Sequence, residues 1–188
     1  MRCQLCFRPS WHLVCSRCLD TLLKPNLTRR TLDDGFEIYS FYKYSEIKPL
    51  LHVKHTFYTK EIFSLLSRHA ILPFVKTLTC KDIFAIAVDD HIRSGTSHTA
   101  VIIHELREYM TPLYGVLRAV NRIRYSGAKL DIRKSFKRDF IYKGKKGITV
   151  VLFDDLITSG QTLLEAKNKL EECGVDVVFA VTLADARE

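Results

Sequence analysis

The sequence predicts an α/β protein, a parallel sheet flanked by helices with a small cysteine-rich module ahead of it. Three observations predict this. From residue 82 onward, short apolar runs (82–88, 148–153 and 177–183) alternate with helical segments, the order of strands joined by helical crossovers. The runs lack polar alternation, as expected for strands covered on both faces. Finally, four of the six cysteines stand at the very start of the chain, as two C-x-x-C pairs.

Those pairs are Cys3/Cys6 and Cys15/Cys18, separated by eight residues that include the single Trp11. Four thiolates at such spacing can close a tetrahedral Zn²⁺ site, and a closed site is structural rather than catalytic. His12 lies in the spacer and could replace a cysteine as a ligand, but with the cysteine set complete it reads as a surface residue. Cys80 and Cys173 stand alone and read as small core residues. The zinc module is expected over 1–24, with a short helical piece from Leu19 stopped by Pro25. Residues 25–35 are polar with turn formers at both ends and read as a linker. The main domain is then 36–188.

Phe36–Tyr42 alternates enough to be a strand, placed near an edge. Helical spacing follows at 46–54, with Ile47, Leu50, Leu51 and Lys54 on related turns. A second helix is expected over 59–72, capped by Thr59 and striped by Ile62, Phe63, Leu66 and Ala70, with Pro73 ending or kinking it. The strand at 82–88 runs into Asp89 and Asp90, and a helix at 97–110 and a strand at 113–118 come next. From Arg118 to Lys146 the composition turns basic. Arg118, Arg122, Arg124, Lys129, Arg133, Lys134, Lys137 and Arg138 belong to this stretch, with Tyr125, Phe136, Phe140 and Tyr142 interleaved. Lysine and arginine that track phosphates beside rings that stack on bases suit single-stranded nucleic acid. The same stretch could instead be a hood over a ligand site.

The stretch Ile148–Leu164 organises the rest. An apolar strand reaches Asp154 and Asp155; Leu156, Ile157, Thr158, Ser159, Gly160, Gln161 and Thr162 follow, and a helix begins. Carboxylates at a strand's carboxyl end sit where open α/β sheets bind ligands. The loop offers backbone N–H groups and hydroxyls at the positive end of a helix dipole, a ready anion site. The helix places Leu163, Ala166, Leu170 and Cys173 on one face, and Gly174 is its expected C′ residue.

Four apolar residues, two acids, two apolar residues and Thr-Ser-Gly-Gln-Thr resemble the phosphoribosyl-diphosphate (PRPP) signature of type I phosphoribosyltransferases. The resemblance implies that fold, with Asp154 and Asp155 on the ribose hydroxyls and 156–162 around the 5′-phosphate. The whole chain resembles the ComF family of competence proteins, ComFC-like members and their GntX relatives, which place a four-cysteine module ahead of such a domain. Lys54 matches a family lysine, Arg122-Ile-Arg124 its Arg-x-Arg segment, and Phe140 a phenylalanine before the signature strand. The resemblance implies PRPP and Mg²⁺ as ligands, with Lys54 toward the diphosphate; Asp89 and Asp90 are either further candidates for the diphosphate and metal or a solvated strand end. It also implies single-stranded DNA as a partner during its entry into the cytoplasm, alongside other DNA-uptake proteins. The chain departs from the family pattern where Val88-Asp89-Asp90-His91 and Ser94-Gly95-Thr96-Ser97-His98 replace its diphosphate-binding segments, and where Lys129 replaces a glutamine. Purine-salvage enzymes with this signature carry an acid in the loop where this chain has Thr158.

A net charge of +8 over 188 residues favours polyanionic ligands, and 47% hydrophobic residues suffice for a core. No apolar run is long enough to span a bilayer and no leader-like segment precedes Cys3, so a cytoplasmic protein is expected, free or peripheral to the inner membrane face. Asp154, Asp155 and Lys54 are the candidates for any catalytic role. Two other functions fit the same residues: a metabolic phosphoribosyltransferase with an unidentified acceptor, and a non-catalytic PRPP-sensing regulator.

Overall fold

A computed structural model describes residues 1–51, 58–78, 82–88, 97–120 and 138–187. Among the described residues, eight strands are formed: β1 (Thr28–Thr31), β2 (Glu37–Lys43), β3 (Ile83–Ala87), β4 (Thr111–Leu113), β5 (Leu117–Ala119), β6 (Phe140–Tyr142), β7 (Thr149–Ile157) and β8 (Asp176–Asp185). The helices are α1 (Ser16–Thr21), α2 (Tyr44–Leu51), α3 (Thr59–Leu66), α4 (Leu72–Val75), α5 (His98–Glu105) and α6 (Gln161–Glu172). Six strands make one sheet in the order β1-β2-β8-β7-β3-β4, in which only β1 runs antiparallel to its neighbour. The parallel α/β architecture expected from the apolar runs is therefore present. β5 and β6 form a separate antiparallel ribbon.

β7 occupies the middle because its first half is apolar on both faces. Val151 and Phe153 pack with Phe63, Ile102 and Ile103 beneath α3 and α5, while Val150 and Leu152 pack with Leu163, Ala166 and Leu170 of α6. Each fully buried Val, Leu, Ile or Phe among them contributes about 1.5–3 kcal/mol of transfer free energy. At the end of α6, Gly174 (φ +77°) takes the left-handed conformation. Its N–H bonds the carbonyl of Glu171, and that of Val175 bonds Leu170, so the helix closes as the C′ glycine predicted.

Several elements differ from expectation. Residues 25–35 are not a plain linker: they carry β1, which pairs with β2 from Thr28↔Ser40 to Thr31↔Glu37 and moves β2 in from the edge. Cys3, Val14, Cys18 and Leu23 join the cluster under α3 and α5, so the N-terminal segment packs on the same core. The helix expected over 59–72 ends at Leu66, and a π-helical turn, Ser67–Ile71, leads into α4. Pro73 does not stop the chain there, because it falls in the first turn of α4, where a missing N–H is tolerated. The helix expected over 97–110 is shorter, capped by Ser97 Oγ, which accepts from the Ala100 N–H at 3.2 Å. The strand expected at 113–118 splits at Gly115 (φ +63°) into β4, which joins the sheet, and β5, which leaves it. Cys173 is only partly buried, at the C-cap of α6.

Candidate anion-binding site and metal centre

Asp154 and Asp155 do not end their strand. β7 continues through Leu156 to Ile157 and pairs with β8 to Ile157↔Asp185. Adjacent strand residues direct their side chains to opposite faces, and the two acids are accordingly unlike each other. Asp155 is 6% exposed, and its Oδ2 lies 3.7 Å from Nε2 of His98, the first residue of α5. The His98 ring packs on Phe63 with centroids 5.2 Å apart. Asp154 is half-buried, and its Oδ1 accepts from the Asp155 N–H at 2.8 Å.

The loop Thr158–Gly160 then turns the chain into α6. Gly160 is the N-cap residue at φ +88°, a conformation that disfavours any side chain. Ser159 Oγ accepts from the Gln161 N–H at 3.3 Å. Thr158, Ser159 and Gln161 are exposed and Thr162 is half-buried, so the hydroxyls and the first turn of α6 face solvent at the positive end of the helix.

Behind the loop lies a residue that the sequence reading passed over. Arg30 of β1, 9% exposed, donates from Nη1 to the Thr158 carbonyl at 2.7 Å and from Nη2 to the Ser159 carbonyl at 3.0 Å. Its Nη1 also meets Oδ1 of Asp185 at 3.3 Å. Burial lowers the Arg30 pKa, opposed by the Asp185 carboxylate, but a guanidinium remains protonated. Leu32 lies against Gly160, where a Cβ would come within 2.8 Å of its Cδ2. The same hairpin reaches α6 through Lys167, whose Nζ bonds Asp34 at 3.0 Å and lies 5.5 Å from the Phe36 ring centroid.

The second centre is the cysteine cluster. The four sulfurs of Cys3, Cys6, Cys15 and Cys18 all lie within 4.8 Å of one another, with Cys6 and Cys15 3.8 Å apart. Four thiolates about 2.3 Å from a tetrahedral Zn²⁺ stand about 3.8 Å apart, so the set fits zinc. Phe7 (φ +59°) closes the first turn by donating its N–H to the Cys3 carbonyl at 3.0 Å, and the Cys15 N–H points at Cys3 Sγ at 3.4 Å. His12 is not one of the clustered ligands. Burial opposes ionisation of Cys3, but the backbone N–H groups of Cys6, Cys15 and Leu5 outweigh it and draw the thiol down to about 6. Burial and the neighbouring sulfurs push Cys18 up to about 12. A dication at the centre removes that inequality by holding all four as thiolates.

Of the basic stretch, Arg118, Arg138, Lys143, Lys145 and Lys146 are described. Arg118 is exposed on β5 and donates from Nε to the Gly115 carbonyl at 3.1 Å; Arg138 donates its backbone N–H to Glu165 Oε2 at 2.8 Å. Phe140 is buried on β6 with Leu117 and Leu163. Lys54, Asp89, Asp90, Arg122, Arg124, Lys129, Arg133, Lys134 and Lys137 lie outside the described residues, as does Cys80. Among the described residues, no helix is long and apolar enough to cross a membrane.

No family model matches the chain. No curated protein matches it either. Among solved structures, it is similar to UMP synthase of Leishmania donovani, with 20% identity over 90% of this chain and 30% of that one, at a TM-score of 0.42. It is similar to orotate phosphoribosyltransferase of Mycobacterium tuberculosis, with 16% identity over 90% of this chain and 82% of that one, TM-score 0.43. Adenine phosphoribosyltransferase of Trypanosoma brucei gives 16% identity, 86% of each chain and a TM-score of 0.49.

Proposed function

We propose that this chain is a PRPP-binding protein of the type I phosphoribosyltransferase kind, with Mg²⁺ as the companion of its ligand. One observation carries the reading: an exposed hydroxyl- and glycine-rich loop, at the N-terminus of α6, directly follows two acids on the central strand. In this reading, the N–H groups of 159–162 and the α6 dipole hold the 5′-phosphate. Asp154 accepts from the ribose hydroxyls, and Asp155, on the other face of β7 beside His98, adds its negative charge to the same end of the sheet. Bound Mg²⁺ would neutralise diphosphate charge, and the half-buried Asp154 carboxylate is a hard oxygen donor that suits it. Lys54, Asp89 and Asp90 serve the diphosphate end. As the bond from C1 to diphosphate lengthens, positive charge grows on the sugar, and the fixed acids stabilise it without rearranging.

Isothermal calorimetry with PRPP and Mg²⁺ tests the site. Wild type should bind; Asp154→Asn should weaken binding by about ten- to a hundredfold, the range for losing a charged hydrogen-bond partner, and Asp155→Asn by less. Absence of heat in the wild type would overturn the reading.

The role we propose for this site is in natural transformation, on single-stranded DNA entering the cytoplasm. The net charge of +8 and the aromatic-interleaved basic stretch from Arg118 to Arg138 support it. Diphosphate release assayed with single-stranded DNA and with a nucleobase panel separates this role from that of a metabolic transferase. Binding of PRPP without release under any acceptor would favour a regulator.

A further inference from the structure

We propose that Arg30 is a positioning residue that sets the two peptide planes of the anion loop, an inference that rests on the PRPP-site reading for its ligand. The geometry is that of a clamp. Nη1 and Nη2 of one planar guanidinium take the consecutive carbonyls of Thr158 and Ser159, at 2.7 and 3.0 Å. The described residues contain no cis peptide bond. In a trans peptide, the carbonyl of one residue and the N–H of the next point in opposite directions. Fixing the Thr158 carbonyl toward Arg30 therefore turns the Ser159 N–H away from it, and fixing the Ser159 carbonyl does the same for the Gly160 N–H. Two adjacent donors are held facing away from the buried guanidinium.

The clamp also acts through charge. A cation on the two carbonyl oxygens polarises both peptides and makes their N–H groups stronger donors to an anion. Arg30 is suited to this because it presents several donors in a fixed plane, whereas a lysine ammonium is a single compact charge. Its own charge is balanced by Asp185 at 3.3 Å, from the end of β8. β1 supplies the residue, β8 the counter-ion and the β7–α6 turn the carbonyls, so three chain segments meet behind the loop.

The test uses ¹⁵N-labelled full-length protein titrated with inorganic phosphate and then with PRPP and Mg²⁺, following the Ser159 and Gly160 amides. In wild type, both amides should shift with phosphate. In Arg30→Met, phosphate affinity read at those amides should fall by about ten- to a hundredfold, the range for charged hydrogen bonds. Arg30→Lys should fall between them. Ser40→Ala breaks the buried Ser40–Thr182 hydroxyl pair of the same sheet and lowers thermal stability without touching the clamp, so its phosphate affinity should stay within about twofold of wild type; a merely structural Arg30 would make the two variants lose affinity in step with stability. A folded Arg30→Met whose amides respond as in wild type overturns the proposal, as do wild-type amides that ignore phosphate. Should Arg30→Met fail to fold, Arg30→Lys decides, and unchanged affinity there overturns it. A wild type that responds to phosphate through these amides but not to PRPP removes the PRPP reading and leaves the clamp standing.

Discussion

Gly160 shows how much of the site rests on one backbone angle. Two costs attend a side chain there: φ is +88°, and a Cβ would meet Leu32. They differ in kind. The Leu32 contact is with the free end of a flexible side chain, which can rotate away, whereas the left-handed backbone cannot relax without moving the loop. Gly160→Ala should therefore cost about 1–3 kcal/mol, and the same substitution in a Leu32→Ala background should cost nearly as much. Chemical denaturation of the four proteins checks this; full recovery in the double variant would show that packing, not conformation, selects glycine. The glycine was legible in the sequence because loop, acids and helix stand together in one short stretch. Arg30 was not. It lies 128 residues before Thr158 in a segment whose polar composition reads as linker, and only pairing of β1 with β2 brings it under the loop. The inequality of Asp154 and Asp155 was half legible, since strand alternation separates neighbours, but His98 as the partner of one of them needed the three-dimensional structure.

At the scale of elements, the sequence marked the strands best where they are central. β3, β7 and β8 are apolar on both faces and stand where their runs stand, because burial dictates composition there. Edge and ribbon strands of three or four residues, such as β1, β4 and β5, have too few core contacts to leave a pattern. The cysteine module was legible from spacing alone, but not its attachment. Cys3 and Cys18 are core residues as well as members of the cluster that fits zinc, packed with Leu23 and the α3–α5 layer. Removing the metal should therefore loosen more than the first two dozen residues. We expect about one equivalent of zinc per chain. Chelation, or Cys6→Ser, should lower the melting temperature of the whole protein and raise amide exchange in α3 together with the module. Loss of zinc with an unchanged melting transition would count against that coupling.

For the whole molecule, charge is the property with the longest reach. If single-stranded DNA is held through phosphates by the Arg118–Arg138 stretch, affinity must fall with salt by about 0.7 logarithmic unit per decade of salt for each phosphate engaged. Contacts from about five of the eight cations there give a slope of about −3.5, and charge reversal at Arg133 and Lys134 should reduce it by more than one unit. Filter binding across a salt series measures this, and a flat dependence removes the stretch as a DNA contact. Calorimetry of the same variants with PRPP gives the second readout: binding should stay unchanged where the stretch serves DNA alone, and should fall where it acts as a hood over the proposed loop of β7 and α6.

The pairing of β2 with β8 has a consequence for how the molecule comes into being. Ser40 lies opposite Thr182, their hydroxyls 2.7 Å apart in the core, although 142 residues separate them along the chain. Contacts of that span close slowly, since the loop-closure entropy is lost before the contact forms. The β7–α6–β8 unit is local and can assemble first, while β1 and β2 wait with one sheet edge exposed. On the ribosome, that edge is synthesised early and finds its partner late. A nascent chain thus carries an unpaired, partly apolar strand from the making of β2 until that of β8, and Arg30 reaches the anion loop only when β8 has been made.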